Sequence, residues 1–143
     1  MTIALTYACW PNRPFGVTWC DLPFALRDRG VAERLRADGH EVAEHVHVAQ
    51  GPAAGDTRAA FELAGSICET VRAARTKGDL AIILCGSCAV AALGAVGGSG
   101  ADTKIVWLDA HPDMNTPKTS GSGLIEGMAL AAASGLCWHT MAD

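Results

Sequence analysis

The period of the apolar positions changes several times along the chain, and each change marks a predicted element. Residues Thr2–Thr6 form a short apolar run, the pattern of a first buried strand. Trp10 to Trp19 holds two prolines and a glycine and reads as a loop. From Leu22 to Asp38 the apolar positions Leu22, Ala25, Leu26, Val31, Ala32 and Leu35 follow helical spacing, with Gly39 as a stop and Gly30 weakening the middle. His40 to Val48 alternates through Val42, Val46 and Val48, which suits a partly covered strand, and Gln50 to Thr57 is a Gly/Pro-rich turn region. A longer helix is expected from Arg58 to Lys77, with Phe61, Ala64, Ile67, Cys68 and Val71 on one stripe.

Two runs then break the alternation. Leu80 to Leu84 lies between Gly78-Asp79 and Gly86, and Ile105 to Leu108 runs directly into Asp109. Continuous apolarity predicts strands covered on both faces, as in a parallel sheet flanked by helices. A helix from about Cys88 to Ala95 would join them as a right-handed crossover. The expected architecture is therefore α/β: a three-layer αβα domain on a mostly parallel sheet. No internal repeat or low-complexity tract interrupts it.

Composition narrows the function classes. The 143 residues suffice for one domain with a hydrophobic core; half are hydrophobic, 18% are charged, and the formal net charge is -4. This balance excludes a phosphate-backbone binder, which needs clustered Lys and Arg. Arg27, Arg29, Arg34 and Arg36 read instead as a solvated helix face. No secretory signal is evident, and the apolar runs are too short or too interrupted to cross a bilayer. Six cysteines allow three disulfides, but several sit in apolar segments, and Cys68 and Cys137 read as buried thiols. A reducing, cytoplasmic setting is expected.

The strongest chemical signal is Asp109-Ala110-His111-Pro112-Asp113, at the carboxyl end of a predicted buried strand, where open α/β sheets bind ligands. Three hard donors in five residues suit Mn²⁺, with Fe, Co, Ni or Zn as competitors. Clustering charge beside a buried strand is costly without a bound cation. At the end of the preceding strand stands Cys85-Gly86-Ser87-Cys88, opening a helix. A thiol there is expected to have a lowered pKa and to serve as ligand or nucleophile. Alternatives are a redox dithiol or two structural cysteines; Cys88 as a member of the metal pocket is preferred, because both strand ends would share one rim. Thr119 to Leu130 is a polar Ser/Thr/Gly loop leading into Glu126-Gly127-Met128 and a small-residue helix, either a connection or a source of groups for a polar substrate.

Together these features resemble the arginase, agmatinase and formimidoylglutamase family, the ureohydrolases, over essentially the whole chain. The family's Asp-Ala-His-x-Asp motif matches Asp109, Ala110, His111 and Asp113, and its following Asn and Thr-Pro turn match Asn115, Thr116 and Pro117. Its Gly-Gly-Asp-His segment aligns with Cys85 to Cys88, so Cys88 replaces the first histidine ligand. Its Ser-Gly-Asn-x-His-Gly segment aligns with Ser122 to Gly127, so Leu124 replaces the Asn and Glu126 the active-site His. The pattern is similar to a divergent branch with cysteine at the first ligand position, which includes a hydroxyarginine amidinohydrolase of D-cycloserine biosynthesis.

The resemblance implies an arginase-like fold and hydrolysis of a guanidino or N-hydroxyguanidino compound to urea or a substituted urea. It implies two Mn²⁺ ions, with Asp109 bridging them, Asp113 and Cys88 on one and His111 on the other. Glu126 would take the proton-transfer position, and Asn115 and Ser122 would hold the substrate's amino-acid end. Family members are about twice this length, and their later Asp-x-Asp motif has no counterpart after Asp113. Residues 1–143 are thus expected to be a truncated, N-terminal half of the domain, inert or weak alone. The expected partner is a second copy or a complementary arginase-like chain. A non-catalytic metal-binding or interaction module, and a CxxC dithiol oxidoreductase, are the competing expectations.

Overall fold

The computed structural model describes residues 1–10, 21–49 and 57–139. The predicted Trp10–Trp19 loop and Gln50–Thr57 turn lie, apart from Trp10 and Thr57, outside those residues. In order, the elements are β1 (Thr2–Cys9), α1 (Asp21–Asp28), α2 (Val31–Ala37), β2 (Glu41–Val48), α3 (Thr57–Lys77), β3 (Leu80–Cys85), α4 (Cys88–Ser99), a 3₁₀ turn (Glu126–Met128) and α5 (Ala129–Ala133). The three strands are parallel in the order β2-β1-β3.

Strand order explains the burial of each strand. The central β1 is covered on both faces, and from Ile3 to Cys9 every residue is buried. Its Ile3, Leu5 and Tyr7 pack with Ala32, Phe24, Val31 and Leu35 of α1 and α2. On the opposite face Ala8 packs with Ala60, Leu63, Ile67 and Val71 of α3 and with Ala89 and Val90 of α4. This is the expected three-layer αβα sandwich. Edge strand β2 carries Glu41, Glu44, His45 and His47 between its valines, and charge on an edge discourages further pairing.

The helix predicted from Leu22 to Asp38 is two helices. Gly30 sits at φ 78°, a left-handed conformation that ends α1 and lets the chain restart as α2. Two of the arginines read as a solvated face are tethered: the Arg36 guanidinium donates to Glu44 at 2.8 Å, and Arg27 lies 3.9 Å from the same carboxylate and over the Tyr7 ring. Helices α3 and α4 pack very closely. A Cβ placed on Gly94 would stand 2.6 Å from Ile67, and one on Gly98 2.5 Å from Val71.

The predicted strand from Ile105 to Leu108 is a correction. Residues 105–108 join no strand among the described residues, and Val106 and Leu108 are 82% and 92% exposed. Apolar sequence is insufficient here because a strand also needs a hydrogen-bonding neighbour. Cys68, Cys85, Cys88 and Cys137 are free thiols, with Cys137 buried and Cys68 half-buried, whereas Cys9 is disulfide-bonded. No described helix is long and apolar enough to cross a membrane.

Candidate functional site

The candidate site begins where β3 ends. Ser87 caps α4, its hydroxyl accepting the Val90 amide at 3.3 Å, and this cap fixes Cys88 as the first residue of the helix. Cys85, the last residue of β3, accepts the Ser87 amide on its sulfur at 3.4 Å. Both thiols of the Cys-x-x-Cys segment are thus held at one end of the sheet.

A second strand of the chain is strapped across this end. The Asp113 carbonyl accepts the amides of Leu130 and Ala131 at 3.1 and 3.2 Å, while the Asn115 amide donates to the Gly127 carbonyl at 3.1 Å. Asp113 takes φ 46°, a conformation that Asp tolerates better than most residues. The result is a buried Asp113 whose carboxylate stands near enough to the Cys88 thiol to perturb its titration. The same sulfur reaches the Glu126 carbonyl at 3.7 Å. The sequence placed these residues in separate motifs; the straps bring Cys88, Asp113 and Glu126 together.

Electrostatics at this point run opposite to the expectation for Cys88. Burial first, then the nearby Asp113 and Glu126 carboxylates, push its thiol up to about 12, so the helix end does not lower it. Burial also raises Cys85, with Glu126 adding to the effect. Asp113 is raised by burial and by repulsion from Asp109, offset in part by the neighbouring Cys88 and His111. Anionic groups therefore crowd one another here, the condition a cation would relieve.

The rest of the expected ligand set stands apart. Asp109 accepts the His111 amide at 2.9 Å, and its carboxylate lies 3.5 Å from the His111 ring, an ion pair only when the imidazole is protonated. The His111 side chain is 80% exposed. Among the described residues, no three His, Cys, Asp or Glu side chains are arranged to hold a metal ion. Of the expected ligands, Asp113 lies near Cys88, whereas the His111 side chain is exposed. Trp107, which the sequence did not single out, steadies the turn by donating its indole N–H to the His111 carbonyl at 3.2 Å.

The two proposed substrate-holding residues lie on the surface. Asn115 accepts the Thr119 hydroxyl at 3.3 Å, and Ser122 is engaged within its own loop, accepting the Leu124 amide at 3.3 Å. Beside the site a cleft of about 480 Å³ runs between β3 and residues 105–108, with Cys88 and Asp109 at one end.

Comparison with known proteins gives one consistent picture. The profile of the Arginase family matches residues 23–140. The arginase of Bacillus caldovelox is 31% identical over 125 residues, covering 79% of this chain and 42% of that protein. The N(omega)-hydroxy-L-arginine amidinohydrolase of Streptomyces lavendulae is 34% identical over 114 residues, covering 76% and 40%. The crystal structure of Bacillus cereus arginase superposes with a TM-score of 0.83 and 26% identity, covering all of this chain and 50% of that one. The chain therefore spans about half the length of the solved arginases it matches.

Proposed function

Because the chain belongs to the arginase family, we propose that it supplies the Cys88, Asp109, His111 and Asp113 side of a metal-dependent amidine hydrolase centre. The observation that supports this reading is the pair of main-chain straps from Asp113 and Asn115, which bring a buried Asp113 to the rim of the sheet near Cys88 and so join two family motifs.

The donor set fits a divalent cation in chemistry and only partly in position. Thiolate, carboxylate and imidazole together suit Mn²⁺ or its competitors, but the donors stand in two pairs, Cys88 near Asp113 and His111 beside Asp109. Cations held by this set would acidify water and polarise a planar guanidinium carbon for C–N hydrolysis to a urea and an amine. The chain's own residues would do the remaining work. Cys88 must lose its thiol proton before it can act as a ligand. His111 must swing from Asp109 toward the site.

Glu126, close enough to raise both thiols, is positioned to hold or move a proton. Asn115 and Ser122 are the groups proposed for the polar end of a guanidino or N-hydroxyguanidino substrate. The similarity to the N(omega)-hydroxy-L-arginine amidinohydrolase of Streptomyces lavendulae supports the hydroxyguanidine.

The absence of a gathered ligand set among the described residues favours one second reading, a metal-binding or interaction module without turnover. The dithiol reading is weakened, since burial raises rather than lowers both thiols. Calorimetric titration with Mn²⁺ tests the first step: saturable binding is expected, weakened more by Asp109→Asn than by Glu126→Gln. Equal affinities would sink the ligand assignment. A urea-release assay on arginine, agmatine and hydroxyarginine in excess Mn²⁺ then separates hydrolase from binding module.

A further inference from the structure

Strand β2 carries histidines at alternate positions, so His45 and His47 share one of its faces. That face turns toward α3, where the His47 Nε2 lies 3.0 Å from the Thr70 hydroxyl. Both histidines are half-buried, and they are close enough for His45 to bear on the titration of His47. Beside His47 a cleft of about 510 Å³ opens between the end of β2 and α3, lined also by Ala49, Glu62, Leu63 and Ser66. In the sheet His47 is level with Ala8, and Ala8 with Cys85, so His47 stands two strands, about 10 Å, from the end of β3. The proposed reaction uses none of these groups.

Hydrogen bonding decides which His47 nitrogen is available. Thr70 donates its single hydroxyl proton to the Ser66 carbonyl at 3.3 Å, so toward the ring its oxygen can only accept. Nε2 therefore carries the hydrogen and Nδ1 keeps its lone pair. Metal-binding histidines are held in this way, one nitrogen donating to a neighbouring oxygen while the other ligates. We propose that His45 and His47 form a cation site on strand β2, for a divalent ion that prefers imidazole: Ni²⁺, Cu²⁺ or Zn²⁺ rather than Mn²⁺. His47 ligates through Nδ1. Among the described residues no third His, Cys, Asp or Glu completes the set, so water fills the remaining positions, and the cleft has room for it. Glu62 in the cleft and Glu69 near His47 supply negative charge around the ion. An ion bound here braces β2 and stabilises the folded chain by mass action.

The test uses Ni²⁺ as the probe on the untagged chain and follows the ring-proton NMR signals of the histidines, which the paramagnetic ion broadens where it binds. Less than one equivalent should broaden His45 and His47 before His40, His111 and His139. Calorimetry should show saturable Ni²⁺ binding that excess Mn²⁺ does not displace and Zn²⁺ does. Replacing both residues, His45→Asn with His47→Asn, should remove this binding. Thr70→Val should weaken it about tenfold or more by freeing the ring, and Thr70→Ser, which keeps the hydroxyl, should restore it.

Three results overturn the proposal. One is broadening of His111 while His45 and His47 stay sharp, which sends the ion to the candidate site at the end of β3. The second is the absence of saturable binding, or its survival in the double variant. The third is equal affinity in Thr70→Val and the unchanged chain, which removes the oriented ring on which the site is built. The ring signals of the unchanged chain decide the first of these without any variant having to fold. Mn²⁺ binding near Cys88 is read in a separate titration, so the proposed function and this site fail independently.

Discussion

The two sides of β3 differ sharply although both are built from apolar sequence. Toward β1, β3 is paired in a parallel ladder, beneath helices α3 and α4 that approach so closely that Gly94 and Gly98 leave no room for a methyl group against Ile67 and Val71. Toward residues 105–108, comparable side chains stand in water: Val106 and Leu108 are among the most exposed apolar residues of the chain, whereas Ile67 and Leu5 are fully buried. Hydrophobicity alone therefore does not place a strand. A strand is placed when a neighbour takes its main-chain hydrogen bonds, and only the β1 side has one.

That contrast can be broken by mutation. Ile67→Ala, at the centre of the packed side, should cost about 2–5 kcal/mol in chemical denaturation, whereas Val106→Lys should stay within about 0.5 kcal/mol. A Val106→Lys loss as large as that of Ile67→Ala would show that residues 105–108 are packed in solution.

The candidate site allows a sharper probe. With its thiol near pKa 12, Cys88 at pH 8 should react with iodoacetamide at least about a hundredfold more slowly than an ordinary thiol. Mass-spectrometric mapping of the alkylated cysteines checks this, and rapid labelling of Cys88 would restore the dithiol reading. Next in size, Gly98→Ala forces a methyl into Val71 and the Cys68 carbonyl and should cost about 1–3 kcal/mol. Thermal melts of this variant beside Gly121→Ala, whose added methyl meets nothing, isolate the packing effect.

The smallest effect belongs to the other face. The Arg36 hydrogen bond holds the Glu44 carboxyl below its ordinary value. Its folded pKa is therefore below the unfolded one, so ionised Glu44 contributes stability that is complete above about pH 4.3 and lost as pH falls through the folded value. Melting temperature measured from pH 6 to 3 should fall less steeply for Glu44→Gln than for the unchanged chain. Identical slopes would show that the ion pair contributes nothing, a common result for partly exposed pairs.

Much of this organisation was legible beforehand. The helical stripe from Phe61 to Val71 and the continuous apolarity of Leu80 to Leu84 correspond to α3 and β3 with small differences at their ends, because a period repeated over several turns outweighs any one residue. The break at Gly30 was visible as a weakness but not as a second helix, since glycine permits a left-handed turn without requiring one. The meeting of Cys88 with Asp113 followed from matching motifs, but the straps from Asp113 to α5 and from Asn115 to Gly127 had no sequence signal. They are main-chain hydrogen bonds, made by groups every residue carries.

By itself, then, the sequence determined the alternation of strand and helix, the parallel three-layer architecture and the identity of the donors that can approach one rim of the sheet. These depend on side-chain chemistry and period, which are local properties. Tertiary structure alone decided that Cys88 is a half-buried thiol with a raised rather than a lowered pKa, because its surroundings include carboxylates from distant parts of the chain. It also decided that residues 105–108 lack a strand's partners, with His111 turned to solvent beyond them. Pairing and desolvation depend on what lies alongside a residue, and a neighbour across a sheet has no fixed distance along the chain.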